Sequence, residues 1–191
     1  MRLTILLLLA ATFFPLTGSA QVPVFEIDKS ASKITFYVKA SVELKGVFDQ
    51  WDASLVFAST DVKTGKLNVK ISAASVDTGS GMKDGKLKGG DFFDVKNNPY
   101  ITFESTKFVP VNPNTVQVEG NFTIRGVTKP QTMTFTVERQ AGGGTAQGKM
   151  AFNRKDFDMN KGIPFIKIAD LVEVEAVLHA RRTSGPPVVV E

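Results

Sequence analysis

The 191-residue chain contains no cysteine, one histidine (His179), one tryptophan and two tyrosines. Without cysteine there are no disulfide staples, no thiolate metal sites and no cysteine nucleophile. A single imidazole excludes a His-rich metal centre and a bis-histidine haem within one chain. Charge of one sign is also scarce. Against 19 Asp and Glu, 23 Lys and Arg leave a net +4, spread along the chain with no basic run of five. That distribution argues against nucleic acid as a partner. With 42% apolar and 22% charged residues, the composition excludes wholesale disorder. No three- or seven-residue period runs through the chain, so it is neither collagen-like nor a coiled coil. No GxSxG, Walker loop, HExxH or GxGxxG occurs.

Long apolar runs are missing except at the start. Met1-Arg2 precedes a largely apolar run of twelve, Leu3–Phe14. A membrane-spanning helix needs about 20 such residues. Gly18-Ser19-Ala20 places small residues at −3 and −1 of a cut before Gln21. Residues 1–20 therefore read as a cleavable signal peptide, and the expected location is the periplasm or outside the cell. Removing 20 residues, Arg2 among them, leaves 171 residues and a net charge of +3. A domain of that size buries about 70% of its unfolded surface and needs no disulfide. Residues 21–182 read as one domain, and 183–191 (TSGPPVVVE) as a loose tail.

What is present is alternation. Ile34, Phe36 and Val38 alternate with Thr35, Tyr37 and Lys39. The same period-two pattern runs through 51–57, 67–73, 101–106, 116–124, 132–137, 146–152 and 172–178. Successive strand side chains face opposite sides, so each run has one apolar and one polar face. Turn signals separate the runs, among them Thr64-Gly65, Asn112-Pro113-Asn114, Lys129-Pro130 and Gly142-Gly143-Gly144. The pattern predicts an all-β fold, an antiparallel sandwich or barrel of about eight long strands and two short ones. Eight strands close a barrel wide enough for core side chains or one small ligand. One stretch, residues 79–93 (GSGMKDGKLKGGDFF), predicts a short helix. Met82 and Leu87 would form its apolar face, and Gly89-Gly90 would end it in a left-handed conformation.

Five segments, in order, carry a family resemblance. They are Phe25-Glu26-Ile27-Asp28 with Ser32-Lys33-Ile34-Thr35-Phe36; Val47-Phe48; Lys83-Asp84-Gly85-Lys86-Leu87 with Asp91-Phe92-Phe93-Asp94; Gly120 to Pro130 (GNFTIRGVTKP); and Asn153-Arg154-Lys155-Asp156-Phe157. Over roughly residues 24–180 the chain resembles the YceI-like family of bacterial secreted proteins. The resemblance implies a lipocalin-like antiparallel β-barrel. It also implies a long apolar ligand in an elongated pocket: a polyisoprenoid, an isoprenoid quinone or a fatty-acid derivative. Where that family often carries histidines, this chain has Ala31, Ala40 and Lys86. Chemistry that needs those imidazoles is therefore not expected.

The apolar faces supply the candidate pocket. Its expected lining is Ile34, Phe36 and Val38, then Leu55 and Phe57, then Val69 and Ile71. Phe92 and Phe93 follow the helix and would plug one barrel end or gate entry. Ile101, Phe103, Phe122, Ile124, Met133, Phe135, Met150, Phe152 and Val174 complete it. Of the 15 phenylalanines, 13 remain after residue 20. Each buried CH₂ contributes about 0.8 kcal/mol, so an isoprene unit contributes roughly 3–4 kcal/mol before binding costs. The competing reading is a filled barrel whose aromatics pack on one another.

Other groups read blandly. Lys83, Asp84, Lys86, Lys88 and Asp91 form either a polar mouth or a solvated helix face. Arg154 and Asp156 suggest a structural ion pair; a base-and-electrophile pair has no further support. Glu173 and Glu175 face solvent, His179 is a surface group, and the sequon Asn121-Phe122-Thr123 is discounted.

The expectation is a binding or carrier protein, not an enzyme. It would have no metal and no cofactor beyond a bound isoprenoid or quinone. Its partner would be a long-chain lipid, with transient membrane contact and a monomeric or homodimeric state. A barrel enzyme acting on a lipid and a ligand-free structural module remain the alternatives.

Overall fold

The computed structural model describes residues 21–40, 44–162 and 168–190. The expected signal peptide, residues 1–20, lies outside them. Ten strands appear among the described residues: β1 (Val24–Ala40), β2 (Leu44–Phe48), β3 (Trp51–Phe57), β4 (Gly65–Ser72), β5 (Val76–Asp77), β6 (Tyr100–Asn112), β7 (Thr115–Ile124), β8 (Val127–Gln140), β9 (Gly143–Asn153) and β10 (Ile168–Ser184). One helix, α1 (Gly81–Lys88), stands between β5 and β6.

Antiparallel neighbours run β10-β9-β8-β7-β6-β4-β3-β1, and β1 returns to β10. The sheet is thus a closed eight-strand barrel, as the alternation and the resemblance both led one to expect. β2 and β3 act as one bent strand along β1. Phe36 faces Gly46 at one end and Val24 faces Val56 at the other. Short β5 extends β2 outside the barrel, with Phe48 opposite Val76.

Closure demands that every strand keep its apolar face inward along its whole length. β10 does so without interruption, through Val172, Ala176 and Leu178. β1 changes parity: Phe25 and Ile27 pack inward at odd positions, then Ile34, Phe36 and Val38 at even ones. The register with β10 slips between Asp28 and Lys33 to allow it. Asp28 organises the bulge. Its carboxylate accepts from Ser30 N–H (2.9 Å) and Ser30 Oγ (2.6 Å). Ser32 Oγ in turn accepts from His179 N–H at 2.9 Å. The Ser30 hydroxyl, followed by the Ala31 N–H, holds the Asp28 carboxyl below its ordinary range. β6 switches parity in the same way, from Phe103 to Phe108, across a slip between Ser105 and Lys107. A bulge is how a strand gains a residue without losing its facing.

The turns follow local chemistry. β7 and β8 are joined by Arg125-Gly126, both left-handed (φ 53° and 75°), the two-residue hairpin geometry. The hairpin expected at 125–130 is therefore tighter than anticipated. β8 resumes at Val127 and runs through Pro130, which lies opposite Asn121.

Three local expectations are corrected. α1 does stop at Gly89, but Gly89 is extended (φ −71°, ψ 169°) and not left-handed. Met82 is 88% exposed, so Leu87 alone anchors the helix to the core. The tail is not loose. Gly185, at φ 77°, turns the chain, and Arg182 Nη1 donates to its carbonyl. Val62 N–H then donates to Val189 O (3.0 Å) and Val189 N–H to Thr60 O (2.7 Å). This parallel bridge seats Val188 and Val190 against the core. Their apolar side chains, alternating about exposed Val189, give the segment a face to bury.

Removing residues 185–191 should lower stability by about 2 kcal/mol, from the burial lost at Val188 and Val190. Urea unfolding of the truncated and full-length chains checks this. An unchanged midpoint would mean that the strap contributes nothing.

Candidate ligand-binding chambers

The barrel lumen holds two apolar cavities, one at each end. The helix-end chamber has a volume of about 130 Å³, and the tail-end chamber about 210 Å³. α1 and the segment after it shape the first. Phe93 N–H donates to Leu87 O at 2.9 Å, which turns Phe92 and Phe93 back into the barrel. Phe93 lies 6.5 Å from Phe36 and 5.9 Å from Phe48, ring centre to ring centre. A second aromatic cluster, Phe122, Phe152 and Phe157, has centroids 5.1–5.4 Å apart. At the tail end, Phe57 packs on Phe25 (5.7 Å) and Phe108 (6.3 Å), and Pro187, Val188 and Val190 of the strap line the chamber. Such edge and tilted contacts are the favoured aromatic geometry.

The expected pocket residues divide three ways. Ile34, Phe36, Val38, Ile71, Phe92, Phe93, Ile101, Phe122, Ile124, Phe152 and Val174 line the helix-end chamber. Leu55, Phe57 and Phe135 line the tail-end chamber. Val69, Phe103, Met133 and Met150 line neither, which corrects their expected role. Phe103, Met133 and Met150 are buried and Val69 partly so, all within the same core. The physical reason lies opposite them. Gly120 and Gly148 point inward, and a Cβ at Gly120 would stand 2.7 Å from the Phe103 ring. A Cβ at Gly148 would stand 2.8 Å from Met133 Sδ and 2.5 Å from the Phe135 ring. Large side chains fill the space that glycine leaves, so the middle of the barrel is packed.

Sequence reasoning missed several lining residues. Phe25, Ile27, Val116, Val118 and Leu178 lie in or beside alternating runs and were legible there. Leu44, Met159 and Ile168 carry no periodic signal.

Polar groups sit at the chamber margins. Lys83 and Arg154 border the helix-end chamber; Arg139, Gln140 and Arg182 border the other. Among the described residues no carboxylate or imidazole lines either chamber, and no group of His, Cys, Asp and Glu could hold a metal ion. Within the expected charge group, Lys86 bridges Asp91 at 2.7 Å. That hydrogen bond holds the Asp91 carboxyl below its ordinary range. Asp84 accepts from Thr78 N–H (2.9 Å) and Oγ1 (2.6 Å), fixing the start of α1. Lys83 reaches the chamber. The group is therefore partly scaffold and partly mouth.

Arg154 is 6% exposed, and its ion partner is Asp170 (3.0 Å), not Asp156 as expected. Asp156 is exposed in a 3-10 turn. Arg154 also donates to the carbonyls of Met159, Lys161 (2.9 Å) and Ala169 (3.2 Å). One guanidinium thus ties the segment after β9 to the start of β10 across the rim of the helix-end chamber. The Lys155 hydrogen bond (2.8 Å), with the charges of Lys155 and Arg154, holds the Asp170 carboxyl below its ordinary range.

Comparison with known proteins places this architecture. Residues 25–180 match the YceI-like domain model. A UPF0312 protein of Pseudomonas aeruginosa is 34% identical over 172 residues, 84% of this chain and 90% of that protein. A UPF0312 protein of Yersinia pestis is 38% identical over 120 residues, 61% of this chain and 62% of that one. Among solved structures, Burkholderia cenocepacia BcnA superposes with a TM-score of 0.74 at 28% identity, over 81% of this chain and 99% of BcnA. A polyisoprenoid-binding domain from Saccharophagus degradans, implicated in plant cell wall breakdown, shares the fold. Its TM-score is 0.64 at 18% identity, over 84% of this chain and 99% of that one.

Arg154→Ala should destabilise the protein by about 3 kcal/mol, because it orphans three carbonyls and removes one of the two cations paired with Asp170. Urea unfolding at neutral pH reads this. The Asp170 contribution has a definite pH sign. Its native pKa is depressed, so its stabilisation is full above the ordinary carboxylate value of about 3.9 and fades as pH falls through the lower native value. Wild type should lose more stability between pH 5 and pH 2 than Asp170→Asn. Parallel curves for the two would refute this role.

Proposed function

The chain belongs to the YceI-like family, and on that premise we propose that it binds a long apolar lipid reversibly inside its barrel, outside the cytoplasm. The lipid class is a polyisoprenoid, an isoprenoid quinone or a fatty-acid derivative. One observation carries the reading: a closed barrel whose lumen is apolar at both ends, with charged groups confined to the rims. An apolar chain gains about 0.8 kcal/mol per buried CH₂ and needs no charged contact for affinity. The polyisoprenoid-binding fold neighbour supports the same ligand class.

Binding without catalysis is favoured by the composition of the walls. Acid–base chemistry needs a titratable group within reach of substrate. The carboxyls with displaced pKa values, Asp28, Asp91 and Asp170, all belong to scaffolding contacts outside the chambers. Export is supported by the layout of residues 1–20. Loading would occur at a membrane surface, where exposed Met82 and neighbouring Lys83 of α1 stand beside the helix-end chamber.

Native mass spectrometry of protein purified from the export compartment of its own host, followed by organic extraction, tests the reading. About one isoprenoid, quinone or acyl lipid per chain is expected. An empty protein that also refuses added polyprenols, quinones and fatty acids overturns it. Phe122 is 6% exposed in the helix-end chamber wall. Phe122→Glu should weaken lipid retention at least tenfold, the effect of about 1.4 kcal/mol. A folded variant that keeps its lipid would exclude this chamber as the binding site.

A further inference from the structure

We propose that the packed layer between the two chambers sets the length of chain the barrel accepts, with Met133 and Met150 as its movable part. The proposal rests on the lipid-binding reading above and deepens it.

The layer is visible strand by strand. On β6, Ile101 lines the helix-end chamber, Phe103 neither, and Phe108 the tail-end chamber. On β9, Phe152 lines the first, Met150 neither, and Ala146 the second. On β10 the order is Val174, Ala176, Leu178, and on β4 it is Ile71, Val69, Leu67. Each of the four strands thus has an inward residue between the chambers that lines neither, and together these residues form a wall across the lumen.

The wall has a rigid part and a soft part. Phe103 lies on Gly120, whose absent Cβ would meet both the ring and the Glu104 carbonyl, each at 2.7 Å. An aromatic ring so seated has little room to turn. Met133 lies over Gly148 with its sulfur at the place of the missing side chain. Methionine is unbranched, with three rotatable bonds, and refills irregular space at small cost. Met133 and Met150 can swing into either chamber and leave an opening beside Phe103.

Volume makes the wall consequential. At about 10–15 Å³ of such volume per water-sized group, 130 Å³ holds roughly ten groups and 210 Å³ roughly fifteen to twenty. A short prenyl or acyl chain fits one chamber with the wall closed. A long polyisoprenoid fits only by crossing it. Among the described residues the walls offer no buried headgroup partner other than Arg154, so discrimination falls to length.

Methyl NMR of the methionines, with geraniol and a five-unit prenol as probes, tests the proposal. Met159 lines the helix-end chamber and reports its occupancy, while exposed Met82 serves as reference. The five-unit prenol should shift the Met133 and Met150 methyl signals, and geraniol should leave both near their free positions. Met133→Ala with Met150→Ala should raise the ratio of five-unit prenol to geraniol affinity at least tenfold. Binding of both prenols with unmoved Met133 and Met150 signals overturns the proposal alone. Failure of both prenols to bind overturns the proposal, and the lipid reading falls with it only if quinones and fatty acids are refused as well. The wild-type spectra decide the matter even if the double variant does not fold.

Discussion

The pairing of the first strand with the last is the contact on which everything else depends. β1 and β10 are both 17 residues long, and their register runs from Val24–Ser184 to Ala40–Ile168. A closed sheet has no free edge where an error of facing can be absorbed. A one-residue slip would turn every inward side chain of a strand toward water. The chain meets this with bulges placed where its own apolar parity changes, at Asp28–Lys33 in β1 and at Ser105–Lys107 in β6. Asp28, Ser30 and Ser32 are surface polar residues, yet they keep both Ile27 and Ile34 inside.

Closure then fixes how wide the lumen is, and side-chain volume decides where it is empty. Ordinary barrels of this strand number are just wide enough to be filled by their own side chains. Here filling is concentrated at the middle, where Gly120 and Gly148 make room for Phe103 and Met133 of the adjacent strands. Toward the ends Phe36 rests on Gly46 and Phe108 on Gly65 in the same way, yet cavities remain beside them. The same thirteen phenylalanines could have produced a solid core.

Most of the fold was legible because alternation is a dense signal, repeated along every strand. The helix was also legible, from a break in that signal at 79–93. What escaped reading was non-local. Arg154 chose Asp170, sixteen residues away, over Asp156, and only the path from β9 to β10 decides that. Parity within β1 was present in the text as Phe25, Ile27, then Ile34, Phe36. It became meaningful only once both halves were known to face one lumen. The tail was misread because TSGPPVVVE resembles a loose terminus in composition, while its docking depends on Thr60 and Val62, far away in sequence. Inward direction alone also did not separate chamber walls from the mid-plane layer. Val69 and Ile71 face the same way and differ only in depth.

The two ends of the barrel stand differently toward the family match. The family match stops at residue 180, whereas β10 continues to Ser184 and the strap reaches Val190. The tail-end chamber is therefore roofed by residues outside the shared domain, through Pro187, Val188 and Val190. At the other end, α1 and Phe92-Phe93 fall within the shared domain and form the lid of the helix-end chamber. Within the matched domain, Lys86–Asp91 pins α1 to the segment after it, and Arg154–Asp170 ties the end of β9 to the start of β10. The far end hangs on two backbone hydrogen bonds and a left-handed glycine, and could lengthen, shorten or open without disturbing barrel closure. A change in the reach of the tail-end chamber is thus most readily built in the strap.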